Sequence, residues 1–112
     1  MKFYLPAYAY AKRKMLEDLE DGFYEARIVE LHDKTTKEGK QYCRVVFLIN
    51  GSKYDYLIFE ESAWKATLVA EALNLKEPGK EAEIDTYEFL NKEIGVNVEN
   101  GRISFLSLYP QY

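Results

Sequence analysis

The chain has 112 residues, 47% of them hydrophobic and 15% aromatic, with 15 Lys+Arg against 19 Asp+Glu and a formal net charge of −4. That length suits one domain with a real core and excludes two, and the longest purely apolar run, Val45 to Ile49, is far too short to span a membrane. Cys43 is the single cysteine, which excludes an internal disulfide and offers no metal-ligand spacing.

Residues 6–19 place Tyr8, Ala11, Met15 and Leu19 on one stripe behind Pro6, which predicts an N-terminal helix. Glu17, Asp18, Glu20 and Asp21 crowd its C-terminal end, where the helix dipole disfavours anions, so the alternative is a short strand at residues 3–5 and an irregular tether. Either way residues 1–20 form an appendage to a domain at residues 21–110. Phe23 to Leu31 alternates Tyr24, Ala26 and Ile28 with Glu25 and Arg27, the pattern of a half-buried strand. Residues 32–40 are lysine-rich and contain Gly39, which predicts a mobile hairpin loop. In the second strand, Gln41 to Ile49, the apolar parity of Cys43, Val45, Phe47 and Ile49 faces the core, and Tyr42 and Arg44 face outward.

Asn50 and Gly51 both tolerate positive φ and mark a hairpin before a third strand, Lys53 to Phe59. A two-residue turn pairs Ile49 with Ser52 and sends Tyr54 and Tyr56 into the core. A three-residue turn through Ser52 sends both outward and turns Asp55 inward; the sequence does not choose. A helix is predicted at 61–73, with Trp64, Leu68, Ala72 and Leu75 as its stripe and Trp64 plugging the bottom of the sheet. After Pro78 and Gly79, strands are expected at Glu81 to Phe89, Ile94 to Val98 and Arg102 to Leu108, the last two joined at Asn100 and Gly101. The expected fold is therefore mainly β: a five-stranded OB-type barrel with one helix between strands 3 and 4. The surplus strand is read as an elongated hairpin of strands 4 and 5 curling over the binding face.

Charge is unevenly distributed. Residues 1–16 hold Lys2, Lys12, Arg13 and Lys14 without an acid, and from Glu61 onward nine acids face five bases. The basic residues follow the first apolar residues rather than preceding an apolar stretch, so no secretory signal is expected and the anticipated setting is a reducing cytoplasm. Catalytic signals are thin. His32 is the single histidine, beside Asp33, and one His with one Cys makes no ordinary zinc site, so neither an enzyme nor a metal, cofactor or small-molecule substrate is expected. A binding surface is better supported: Tyr42, Tyr54 and Tyr56 for stacking, Arg44 as a planar cation, and Lys34, Lys37, Lys40 and Lys53 for phosphates.

The chain resembles the phage-encoded single-stranded-DNA-binding proteins of the OB-fold type. The likeness lies in Asp21, Gly22, Tyr24, Ala26 and Ile28, in the loop Thr35, Thr36, Lys37, Glu38 and Gly39, and in Val45 and Phe47. It continues through Asp55, Tyr56 and Leu57, the Trp64 helix with Ala70 and Leu73, and the closing Leu108, Tyr109 and Pro110. The resemblance implies a viral protein of the host cytoplasm that coats exposed single-stranded DNA during replication or recombination, with RNA as the alternative strand. No acidic tail follows the last predicted strand, so recruitment of partners by a tail is not expected. The low basicity implies modest affinity per monomer, and hence a homo-oligomer or cooperative coating. A protein-interaction module on the same barrel, such as a small viral effector binding a host protein, is the competing reading.

Overall fold

The computed structural model describes residues 1–3 and 13–108. Five antiparallel strands, β1 (Gly22–Thr35), β2 (Gln41–Ile49), β3 (Ser52–Phe59), β4 (Glu93–Glu99) and β5 (Arg102–Leu106), make one sheet in the order β3-β2-β1-β4-β5. β1 is long enough to serve two neighbours. Its first half pairs with β4, from Gly22 opposite Val98 to Arg27 opposite Glu93, and its second half pairs with β2, ending at Thr35 opposite Gln41. A register shift between Ile28 and Glu30 marks the change of partner. Such a bulge sharpens local twist, and here it helps curl the sheet into a half-barrel.

The two sharp hairpins follow from their turn residues. Asn50 and Gly51 have φ of 49° and 80°, and Asn100 and Gly101 have 51° and 76°, the paired left-handed conformations that match the twist of the flanking strands. The two-residue turn at Asn50 sets Ile49 opposite Ser52, Phe47 opposite Tyr54 and Val45 opposite Tyr56. Tyr56 is therefore in the core, 2% exposed, and Tyr54 is half-buried on the same side. The concave side is filled by Ile28, Val45, Phe47, Ile94 and Val96.

Helix α1 (Trp64–Ala72) follows a 3-10 turn at Glu60–Ser62 and closes one end of the half-barrel. The face it turns to the core is Ala66, Val69, Ala70 and Leu73, spaced i, i+3, i+4, i+7. Of the stripe expected from the large side chains, Ala72 and Leu75 do pack against the core, but Trp64 is 60% exposed and the buried aromatic beneath the helix is Phe89. Two alanines in the true stripe let the helix approach the sheet closely, and a bulky indole does not fit there. Asn74, with φ of 61°, ends the helix in a Schellman motif, its amide donating to the Glu71 carbonyl (3.1 Å) and that of Leu75 to the Ala70 carbonyl (2.9 Å).

Other expectations are also corrected. Glu81 to Phe89 is not a strand: it is irregular chain ending in a 3-10 turn, Thr86–Phe89, capped by Asp85, whose carboxylate accepts from the Tyr87 amide at 3.0 Å. No surplus strand therefore extends the β4–β5 hairpin, which is short and lies in the sheet. The first hairpin loop is only residues 36–40, because β1 runs on to Thr35. Hydrogen bonds from the Lys40 amide to Thr36 Oγ1 (3.0 Å) and from the Gly39 amide to the Thr36 carbonyl (3.0 Å) order it.

The N-terminal helix expected at 6–19 falls largely outside the described residues. Within its described part, Met15 makes a parallel bridge to Asp55 of β3, and Leu16–Asp18 is a 3-10 turn. The Asp55 amide donates to the Lys14 carbonyl at 2.8 Å. This segment lies where β3 and β5 face each other without pairing, touching both strands, with Leu16 fully buried. Leu16 thus supplies to the seam the apolar filling that a direct strand pair would otherwise provide.

Candidate functional site

Register assigns the convex face of the sheet. Tyr42 lies opposite both Lys34 and Phe59, Arg44 opposite His32 and Leu57, Val46 opposite Glu30 and Asp55, and Leu48 opposite Lys53. Side chains paired in an antiparallel sheet share a face, so these residues from three strands form one surface. At one end, the Tyr42 and Phe59 rings stack with centroids 4.9 Å apart and planes 29° from parallel. Lys34 stands beside Tyr42 across the strand pair, and Arg44 is two residues along the same strand.

Arg44 has no carboxylate partner among the described residues, and its Nε is a buried donor without a hydrogen bond. A buried unpaired donor carries an energetic cost. The other cations differ in this respect. Lys53 Nζ bonds Glu30 at 2.8 Å, Lys40 pairs with Glu61 at 3.3 Å, and Lys34 and Lys37 are exposed. Glu30 also meets His32 Nε2 at 2.9 Å, and hydrogen bonds from Lys53 and then His32 hold its carboxyl down at about 2.

The middle of this face is covered. Val46 is fully buried and Asp55 is 3% exposed, and the guanidinium of Arg13 lies on Asp55 through Nε to Oδ2 and Nη2 to Oδ1, the second bond 3.0 Å long. Asp55 and then Glu30 raise the Arg13 pKa. Lys14 Nζ sits 5.7 Å from the Tyr54 ring centroid at the strand edge.

Beside the aromatic pair a cavity of about 460 Å³ opens between the first hairpin and the start of α1, lined by Lys34, Tyr42, Cys43, Phe59, Ala66 and Thr86 among others. Its volume lies within the range of small-ligand pockets. Cys43 is almost buried, its thiol 3.8 Å from Thr86 Oγ1, and burial pushes its pKa up, which makes it a poor nucleophile. Among the described residues no group of three His, Cys, Asp or Glu side chains is placed to hold a metal ion. No described helix is long and apolar enough to cross a membrane.

Of the residues singled out from the sequence, Tyr42, Arg44, Lys34 and Lys53 come together on one face, and Lys37 and Lys40 lie in the adjoining loop. Tyr54 and Tyr56 go to the other side. Phe59, Arg13 and the Glu30–His32 pair were missed. Phe59 was legible in principle, since the two-residue turn alone sets it opposite Tyr42. Arg13 was not, because nothing local in the sequence joins it to Asp55, 42 residues away. Comparison with protein-family models and with curated proteins gives no match.

Proposed function

We propose that this protein is a non-enzymatic binder of single-stranded nucleic acid, DNA in the first instance, and that it acts by aromatic stacking and phosphate contacts on the convex face of β1, β2 and β3. The strand order β3-β2-β1-β4-β5, with a helix between the third and fourth strands, supports reading the half-barrel as an OB type opened between β3 and β5. The observation that carries the reading is the Tyr42–Phe59 stack flanked by Lys34 and by Arg44, which has no carboxylate partner among the described residues. Rings supply stacking platforms tolerant of base identity, and an arginine without a carboxylate partner among the described residues keeps its charge for a phosphate oxygen. Coating of exposed strands in phage replication or recombination is the role such a surface suits.

Lys53 is held by Glu30 and Lys40 by Glu61, and the net charge is −4, so each monomer contacts few phosphates and cooperative self-association compensates. A mixed-sequence oligonucleotide titrated at rising salt tests this. Binding is expected at low salt, with log K falling against log salt by about 0.7 per phosphate contacted. No binding at low salt rejects the reading and leaves the protein-interaction module in its place.

A further inference from the structure

We infer that Asp55 is a positioning residue that docks the basic N-terminal segment onto β3 and thereby makes Arg13 a phosphate-contacting part of the interface. This inference rests on the function proposed above. A carboxylate in the middle of a surface meant for a polyanion is at first sight an obstacle. Here it is 3% exposed and engaged by an arginine whose own side chain is 41% exposed, so it presents no net negative charge to an approaching strand.

The geometry keeps Arg13 useful. A guanidinium carries five N–H groups on a rigid plane. The Asp55 pair uses two, Nε and one on Nη2, along a single edge, and leaves the adjacent Nη1–Nη2 edge outside the pair. That edge has the fork geometry that takes a phosphate bidentately. Two further contacts fix the segment behind it: the Met15 bridge, which includes the hydrogen bond from the Asp55 amide to the Lys14 carbonyl, and buried Leu16. Arg13 is thus set on the face that also carries Arg44 and Lys53, with little side-chain entropy left to lose on contact with a phosphate.

The test inverts simple electrostatics. Asp55→Asn removes a negative charge, which by itself strengthens binding to a polyanion. The expected result in the full chain is instead a loss of roughly tenfold in oligonucleotide affinity, the worth of one charge-assisted contact, with the salt slope reduced by about 0.7. Arg13→Gln, which leaves the buried Asp55 carboxylate without its cation and so also lowers the melting temperature, is expected to give the same loss and slope, and the double variant no more than either alone. Should Asp55→Asn fail to fold, Arg13→Gln carries the test unaided. A purely structural Asp55 lowers the melting temperature and leaves the slope unchanged. Equal or tighter binding by Asp55→Asn, or an unchanged slope in Arg13→Gln, overturns this inference alone; a wild-type protein that does not bind overturns the proposed function together with it.

Discussion

Phe105 of β5 and Tyr56 of β3 meet edge to face, with ring centroids 5.3 Å apart, across the seam where these two strands share no backbone pairing. Phe47 of β2 stacks on Phe105 at 5.7 Å, so three rings from three strands close the gap. Strands that do not hydrogen-bond must be held by side chains, and Leu16 supplies the rest of that packing.

Phe105→Ala should therefore cost about 2–4 kcal/mol, somewhat below a fully buried phenylalanine because Phe105 is half-buried. Combined with Tyr56→Leu, a double-mutant cycle should give a coupling of about 0.5–1.5 kcal/mol, the size found for aromatic pairs. Urea denaturation followed by circular dichroism measures both. Additive costs would mean that the rings touch without holding the seam.

Gly95 sits on β4 under the half-exposed ring of Phe23. A Cβ there would lie 2.7 Å from that ring and 3.1 Å from the carbonyl oxygen of Leu106 on β5. The ring is a side-chain end and can swing away, whereas the carbonyl belongs to the ladder. Gly95→Ala should thus cost about 1–2 kcal/mol, and less than about 1 kcal/mol in a Phe23→Ala background, where only the backbone contact persists. The same denaturation series reads the difference, and equal costs in both backgrounds would place the strain in the ladder alone.

The parts of this fold that were legible in the sequence are those in which a local signal is also the global answer. Alternation located β1 to β3, and the two Asn-Gly pairs located both hairpin turns. Glu81 to Phe89 misled because Ile84 and Phe89 do reach the core, but from irregular chain and a 3-10 turn rather than from a strand. The helix was found and its orientation missed, since alanine carries little weight in a hydrophobic stripe although Ala66 and Ala70 are what permit close packing. For the candidate site, Tyr42 and Arg44 followed from parity alone. The choice between Tyr56 inside and outside depended on one residue of turn length, and the Arg13–Asp55 pair depended on tertiary structure that no local pattern encodes.

Glu30 gives the fold an acid limb. Its carboxyl is held at about 2, against an ordinary value of 4.5, by Lys53 first and His32 second. A carboxyl depressed in the folded state contributes stability that is fully present above its unfolded pKa and is lost as pH falls through the folded one. The melting temperature of the wild type should accordingly fall between about pH 4.5 and pH 2, and Glu30→Gln should flatten that part of the profile while lowering the plateau at neutral pH. Glu30 is partly exposed, so added salt should shrink the difference. Parallel profiles for the two proteins would show that another carboxyl carries the limb.

Stacking and charge on the convex face are separable. Tyr42 offers a ring already braced by Phe59, so Tyr42→Ala removes a platform without touching a cation and should weaken oligonucleotide binding by about 1–3 kcal/mol at unchanged salt slope. Lys34→Ala and Arg44→Ala should each lower the slope by about 0.7, and the loss at Arg44 should be the larger, because a planar guanidinium can take a phosphate bidentately. Lys37→Ala, in the exposed hairpin loop, should lower the slope with a smaller loss of affinity. Titrations at three or more salt concentrations separate these terms, with the exposed Trp64 available as the single indole reporter. Should Tyr42→Ala and Arg44→Ala both bind as the wild type does, the strand does not lie on the convex face of β2, and the assignment of the site fails.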